Sequence, residues 1–264
     1  MSDPEAAPLM AVDIGNSRIK LGVFSRVSDP GTLPLPDRIL RLSTHSWEPV
    51  EIALWLAPRK PQEFQWLLGS VHQGTSDSLQ KWLDDEIHPE GSRVLKYDDL
   101  PITIDLKQPA AVGIDRLLAA VAANRTRPPD RSAVVIDVGT AITVDVVSIE
   151  GKFCGGAILP GVEMSAKALH DYTDQLPDLG MSELDEPPPA LGTSTNEAIT
   201  SGLYWGAVGA IRALIQQLNK EMSTEPYVVL TGGAAKQVAD LLEASATYEE
   251  HLVLAGLAIT AGSL

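Results

Sequence analysis

The stretch VVIDVGTAITVDVV, residues 134 to 147, decides the fold because it sets two carboxylates and a glycine within an otherwise apolar strand sequence. Strand interiors favour β-branched residues, and glycine weakens them. Asp137 and Gly139 therefore indicate a turn between two strands, and this turn has a function beyond reversing the chain. A similar stretch, MAVDIGNSRIKLGVF, occupies residues 10 to 24. The repetition predicts one strand-turn-strand hairpin in each half of the chain.

Segments with helical spacing of apolar residues follow each hairpin, which predicts two similar α/β lobes with a ligand cleft between them. The segment RTRPPDR, residues 125 to 131, breaks the helical pattern and is the candidate boundary. The predicted organisation is a loose tail at 1–8, an N-terminal lobe at 9–127 and a C-terminal lobe at 128–264. The predicted helices cover 48–59, 76–87, 110–125, 163–176, 195–221, 235–244 and 252–263.

Composition excludes several classes of protein and of site. The formal net charge is −15 over 264 residues, which disfavours nucleic acid and anionic membranes as partners. Cys154 is the only cysteine, so an internal disulfide and a cysteine metal cage are excluded and a reducing, cytoplasmic compartment is expected. The start of the chain lacks the basic and apolar regions of a signal peptide, and we expect no transmembrane helix.

The two glycine turns have the features of phosphate-binding sites. A turn glycine lets backbone N–H groups come close to a phosphate, and Asn16, Ser17 and Thr140 add further donors. Asp13 and Asp137, at strand ends, could hold a cation directly or through water, and Lys20 adds a positive charge. The alternative for each turn alone is an ordinary hairpin turn. A third glycine turn, LTGGAA at 230–235, follows a later strand, and no Walker or dinucleotide-binding glycine motif is present.

The segment GIDR, residues 113 to 116, opens a predicted helix and carries the candidate proton acceptor. Asp115 would accept a hydroxyl proton while Arg116 grips a carboxylate or phosphate. The alternative is that Asp115 only complements the helix dipole. Near Thr195, a capping box predicts the start of the long helix at 195–221. Its glycines at 202, 206 and 209 indicate close helix packing, within the lobe or across a dimer.

Taken together, these motifs resemble those of the type III pantothenate kinases. That family belongs to the superfamily of actin, sugar kinases and chaperone ATPases, with a duplicated ribonuclease H-like domain. The resemblance covers about residues 10 to 262, in the family's order. It rests on DIGNSRIKLGV, GIDR, DVGTAITVD, GGAILPG, STNEAITSGLYWGAVG and TGGAA.

The resemblance implies ATP-dependent phosphorylation of pantothenate, the first step of coenzyme A synthesis, by a cytoplasmic homodimer. It implies Asp115 as the proton acceptor and Asp137 as a ligand of potassium or ammonium, with Mg²⁺ near Asp13. The implied ATP contacts are Asp13, Ile14, Gly15, Asn16, Ser17, Arg18, Ile19, Lys20 and Thr140. The implied pantothenate contacts are Gly113, Ile114, Asp115, Arg116 and Thr195.

The sequence departs from the family pattern at the substrate pocket and leaves other functions open. Ser17 replaces the usual Thr but keeps the hydroxyl, whereas Leu106 stands where a Tyr is common, which removes a hydroxyl from the pocket. One alternative is a kinase of another small hydroxyl compound. Another is a nucleotide-binding regulatory or accessory protein of the same fold without catalysis.

Overall fold

The structure is a computed structural model that describes residues 7–25, 31–86, 91–180, 186–233, 235, 238 and 246–264. The chain forms two compact units. Unit 1 combines Met1–Thr126 with His251–Leu264, and unit 2 is Arg127–Glu250. Most of the predicted tail at 1–8 and of the predicted helix at 235–244 lies outside the described residues.

Unit 1 is built on a five-stranded sheet in the order β3-β2-β1-β4-β5. Strand β1 pairs antiparallel with β2 and parallel with β4, so the two strands of the first hairpin lie beside a parallel crossover strand. The strands are β1 (Leu9–Ile14), β2 (Arg18–Phe24), β3 (Arg38–Ser43), β4 (Gln65–Ser70), β5 (Ser92–Val94) and, outside this order, β6 (Thr103–Ile104). The helices are α1 (Pro49–Leu56), α2 (Gln73–Glu86), α3 (Ile114–Thr126) and α6 (Leu252–Ala261), with short 3-10 turns at Pro61–Glu63, Tyr97–Asp99 and Pro109–Ala111.

Helices pack on both faces of the unit 1 sheet. Apolar side chains of α1 and α2 form one core with alternate residues of β1 and β2, including Val12, Ile14, Ile19 and Leu21. On the other face, α3 and α6 approach the sheet closely. A Cβ added at Gly69 would lie 2.7 Å from the Leu118 side chain, which would have to shift to make room for it.

Unit 2 repeats the same strand arrangement. Its strands run β9-β8-β7-β10-β11, with β7 antiparallel to β8 and parallel to β10. The predicted pair of similar α/β lobes is therefore confirmed. The elements are β7 (Ala133–Val138), β8 (Ala141–Val147), β9 (Lys152–Pro160), α4 (Val162–Asp171), α5 (Thr195–Glu221), β10 (Tyr227–Thr231) and β11 (Ala246–Tyr248).

The C-terminal helix corrects the predicted domain boundaries. The first boundary falls after Thr126, close to the predicted position, but a second one falls after Glu250. Helix α6 packs on α3 in unit 1, where a Cβ at Gly256 would lie 2.1 Å from the Leu118 carbonyl oxygen. Because α6 is apolar on all sides, it must be buried, and α3 offers the surface that buries it.

Among the described residues, α5 is the one helix whose length and apolar composition would suit a membrane span. Core helices pass the same test. Tyr204, Val208, Ile211 and Ile215 recur at helical spacing and are buried in the core of unit 2. One face of α5 therefore packs on the core of this unit, while 22% of the apolar window as a whole is buried.

Candidate functional site

The first glycine turn joins β1 to β2 at the carboxyl end of β1. The Gly15 N–H donates to the Arg18 carbonyl at 3.0 Å, which closes the hairpin, and Asn16 and Ser17 are exposed at its tip. Open α/β sheets bind ligands at the carboxyl ends of parallel strands, and β1 and β4 are such a pair. The turn is thus placed where a phosphate could reach it.

The charged residues near this turn share one face of the sheet. Asp13 pairs with Lys20 across β1 and β2, and Lys20 pairs with Arg41 across β2 and β3. Side chains of directly opposite residues lie on the same face, so the three charges form one row. Asp13 is 9% exposed. The row gives an acidic chain a local cationic surface beside the turn.

The remaining residues predicted to contact ATP divide into two groups. Ile14 and Ile19 are fully buried in the apolar core, so only their backbone groups could face a ligand. Arg18 is exposed and helps to form an open groove. The residues lining that groove are Ser17, Arg18, Arg41, Leu42 and Ser43.

The GIDR segment begins α3 close to the same end of the sheet. A Cβ at Gly113 would lie 3.5 Å from Val71, the residue that follows β4, and 2.6 Å from Asp115 Oδ1. A side chain at 113 would therefore displace the Asp115 carboxylate from this position. Ile114 is buried, so only its backbone groups could face a substrate. Unit 1 thus brings the first turn and Asp115 to one edge of its sheet.

Asp115 has the electrostatic character of a proton acceptor. Burial raises its pKa above the ordinary 3.8, although the Arg116 backbone N–H and guanidinium act in the opposite direction. The Arg116 N–H donates to Asp115 Oδ1 at 2.8 Å and so fixes the carboxylate at the helix start. A partly desolvated base with a raised pKa accepts protons more readily than an ordinary aspartate.

The raised pKa also predicts a stability effect. A carboxyl whose folded pKa is raised stabilises the fold below its ordinary pKa of 3.8 and loses that contribution as the pH rises through the folded value. We therefore expect Asp115→Asn to have a higher unfolding temperature than wild type at neutral pH, with the difference shrinking in acid. Thermal unfolding over a pH series measures it. A lower unfolding temperature for the variant at neutral pH would contradict the expectation.

The second glycine turn joins β7 to β8 in unit 2. The Gly139 N–H donates to the Ala141 carbonyl at 3.1 Å. A Cβ at Gly139 would find only ordinary contacts at 3.5 Å and beyond, so packing among the described residues does not demand glycine there. Close approach of a ligand is a remaining reason for it. Thr140, predicted to touch ATP, lies on this turn.

Two further glycines pack against this turn from other elements. The Gly161 N–H donates to the Thr140 carbonyl at 3.1 Å, and a Cβ at Gly161 would lie 2.4 Å from that oxygen. Gly232, which follows β10, has φ of 102°, a left-handed conformation that favours glycine. The third glycine turn of the sequence therefore lies beside the second.

Asp137 lies under Gly232. A Cβ at Gly232 would be 2.5 Å from Asp137 Oδ1 and 2.5 Å from the Val138 carbonyl oxygen. Gly232 thus packs directly against two oxygens that a side chain would displace. Oxygen ligands suit potassium and other hard cations. Within the described part of the chain no group of three or more His, Cys, Asp or Glu forms a metal cluster.

Thr195 is the first residue of α5 and is exposed. Ser194 caps the helix by accepting a hydrogen bond from the Glu197 N–H at 3.3 Å. The Glu197 carboxylate accepts from the Thr193 N–H and hydroxyl, both at 2.7 Å, and the hydroxyl bond is the main cause of its lowered pKa. The predicted cap is present, with Thr193 as an additional member.

Sequence reasoning missed Thr44, Gly161 and Arg41 as neighbours of the two turns. Thr44 follows β3 and bonds to the first turn through its N–H and its hydroxyl. Nothing in the strand sequence RILRLST distinguishes it from an ordinary strand end. For Gly161, the Gly-Pro context of GGAILPG was a signal of a turn, but its partner could come only from the fold. The prediction that the two turns face each other across a cleft stays a prediction.

Comparison with known proteins identifies the family to which these motifs belong. The family model of type III pantothenate kinase matches residues 9–217. The chain is 44% identical to the type III pantothenate kinase of Rhodospirillum rubrum over 260 residues, covering 95% of this chain and 96% of the relative. It is 33% identical to that of Chlorobium luteolum over 267 residues, covering 97% and 94%.

Solved structures show a related fold. A conserved Baf family protein from Campylobacter jejuni aligns with a TM-score of 0.59 and 20% identity, covering 97% of this chain and 98% of that one. MreB 5 of Spiroplasma citri, solved with AMPPNP, aligns with a TM-score of 0.53 and 12% identity, covering 98% and 97%. At these identities the likeness supports the fold alone, which is the actin-like fold predicted from the sequence.

Proposed function

The chain belongs to the type III pantothenate kinase family, which phosphorylates pantothenate with ATP in coenzyme A synthesis, and from this premise we propose how its residues carry out the reaction. The observation that carries the proposal is the position of Asp115. It is a carboxylate with a raised pKa, fixed at the start of α3, at the same sheet edge as the first glycine turn.

Asp115 acts as the general base. It accepts the proton of the primary hydroxyl of pantothenate as the oxygen attacks the γ-phosphorus of ATP, and the O–P bond to ADP breaks in line. Arg116, on the next helical position, binds the carboxylate of pantothenate. Gly113 leaves space for the Asp115 carboxylate. Thr195 adds a hydroxyl contact to the substrate.

The phosphates of ATP bind to the two glycine turns. In unit 1, the backbone around Gly15 to Ser17 donates hydrogen bonds and Lys20 stabilises the charge that develops on the transferring group. In unit 2, Thr140 supplies a hydroxyl and Gly139 permits close approach. Asp13, at the end of β1, would hold Mg²⁺ directly or through water, and the ion when bound neutralises phosphate charge.

A monovalent cation, potassium or ammonium, binds at Asp137. Support comes from the two oxygens that meet beside Gly232, the Asp137 carboxylate and the Val138 carbonyl. A large, weakly hydrated cation bound there would balance negative charge close to the second turn. The Gly232→Ala variant tests this assignment.

The active form is a cytoplasmic homodimer that pairs through α5. Along the face opposite the buried stripe of α5 lie small exposed residues, and a Cβ added at any of its three glycines meets no atom within 4 Å. Such a face allows two helices to approach closely. The small exposed residues are Ala198, Gly202, Gly206, Gly209 and Ala213.

A coupled assay of ADP release tests the function. We expect ATP turnover to depend on pantothenate and to yield 4′-phosphopantothenate, identified by mass. A panel of other small primary alcohols is the control, because a kinase of another hydroxyl compound would prefer one of them. ATP binding with no turnover on any alcohol would instead indicate the regulatory alternative.

A further inference from the structure

Thr44, the residue after β3, is bonded to both sides of the first glycine turn. Its hydroxyl donates to the Gly15 carbonyl at 2.9 Å, and its backbone N–H donates to the Ser17 carbonyl at 3.1 Å. The residue is 4% exposed, so water does not compete for these bonds. One buried residue therefore fixes two carbonyl groups that flank the tip of the turn, one through its side chain and one through its backbone.

Fixing those carbonyls also fixes the N–H groups of the turn. In a planar trans peptide the carbonyl of one residue and the N–H of the next point in opposite directions. The Gly15 carbonyl faces Thr44, so the Asn16 N–H faces away from it, and the same holds for the Ser17 carbonyl and the Arg18 N–H. N–H groups of a glycine turn that are held in fixed directions are donors that an oxyanion can use.

The backbone of Thr44 is itself fixed by a hydrogen bond from a neighbouring helix. Its carbonyl accepts from the Thr75 hydroxyl at 3.3 Å, and Thr75 is also buried. The Thr75 N–H donates to His72 Nδ1 at 3.3 Å, near the start of α2. The turn is thus tied through Thr44 to a helix that packs on the core of unit 1, which limits its freedom before any ligand binds.

We propose that Thr44 is a positioning residue for the nucleotide: it preorganises the backbone donors of the first turn to receive the phosphate groups of ATP. The proposal rests on the proposed function, since it assumes that this turn binds phosphate. Thr44 itself touches no substrate. Its contribution should therefore appear in the affinity for nucleotide and leave the affinity for pantothenate unchanged.

The test replaces the Thr44 hydroxyl by a methyl group, which keeps the shape of the side chain. For Thr44→Val we expect the KM for ATP and the Kd for the non-hydrolysable analogue AMPPNP to rise about five- to tenfold, the range of one lost hydrogen bond. The KM for pantothenate should stay as in wild type. Thr44→Ser keeps the hydroxyl and should restore nucleotide affinity.

Thr260→Val is the matched control. Thr260 is fully buried in the same unit and its hydroxyl donates to the Gly256 carbonyl at 2.8 Å, so the variant loses an equivalent bond far along the chain from the turn. It should bind AMPPNP like wild type. Equal weakening in both valine variants, or wild-type affinity in Thr44→Val, would overturn the proposal.

Two precautions keep the outcomes distinct. If Thr44→Val does not fold, Thr75→Val removes the support behind Thr44 and should weaken AMPPNP binding in the same sense; unchanged binding then counts against the proposal. Because AMPPNP binding needs no acceptor, it is measured even if pantothenate proves not to be the substrate. Failure of wild type to bind AMPPNP would refute the proposed function.

Discussion

In the Asp115→Asn variant, turnover of pantothenate is expected to fall about 10²–10⁴-fold, while ATP binds as in wild type. The amide can still accept the Arg116 N–H bond, so the start of α3 keeps its conformation. It cannot accept the hydroxyl proton at the moment of attack. The loss should therefore appear in kcat, measured by coupled ADP release, with little change in the Kd for AMPPNP.

Asp77→Asn is the control for removing one carboxylate from a helix of the same unit. Asp77 is exposed on α2 and accepts a hydrogen bond from the Gln73 side chain at 2.7 Å. Its variant should keep wild-type turnover. Near-normal kcat in Asp115→Asn would remove Asp115 from the role of base, and a matching loss in Asp77→Asn would point to a general effect of charge.

The second large effect is expected for Gly232→Ala. A left-handed conformation costs a residue with a side chain about 1–2 kcal/mol, and here the new methyl would also meet Asp137 Oδ1 and the Val138 carbonyl at 2.5 Å. In the variant, the Asp137 and Val138 oxygens would have to move apart to admit this methyl group. We expect lower stability and a rise of about 10–100-fold in the potassium concentration that half-activates the enzyme, the range seen when support of a metal ligand is lost.

Gly31→Ala is the control that separates the effect of the left-handed backbone from the effect of the contact with Asp137. Gly31 has φ of 87°, also left-handed, but an added Cβ meets no atom within 4 Å. Its variant should lose stability through the backbone alone and keep wild-type activation by potassium. If wild type is equally active in sodium and potassium, or if Gly232→Ala keeps normal activation, Asp137 is not the cation ligand.

The hairpins and the long helix could be predicted because their signals are local. Asp-x-Gly between apolar runs specifies a strand end and a turn, and α5 spans the residues predicted for it, from Thr195 to Glu221. The duplicated sheet followed from finding the hairpin twice. The three-residue strand β11 was missed because so short a segment carries no periodicity.

What escaped prediction depends on contacts between distant segments. Thr44 lies 29 residues from Gly15, and only the pairing of β2 with β3 brings its hydroxyl to the turn. The assignment of α6 failed for a related reason. Its apolar residues fit burial in either unit, and the sequence between β11 and α6 has no Pro or Gly to mark a boundary.

The place of α6 has a consequence for biosynthesis. Because residues 127 to 250 are inserted between α3 and α6, the ribosome finishes unit 2 before it releases the last helix of unit 1. Until then the nascent chain exposes the surface of α3 that Gly256 will cover, a surface that invites aggregation and chaperone binding. The amino-terminal half of the protein thus completes its fold last.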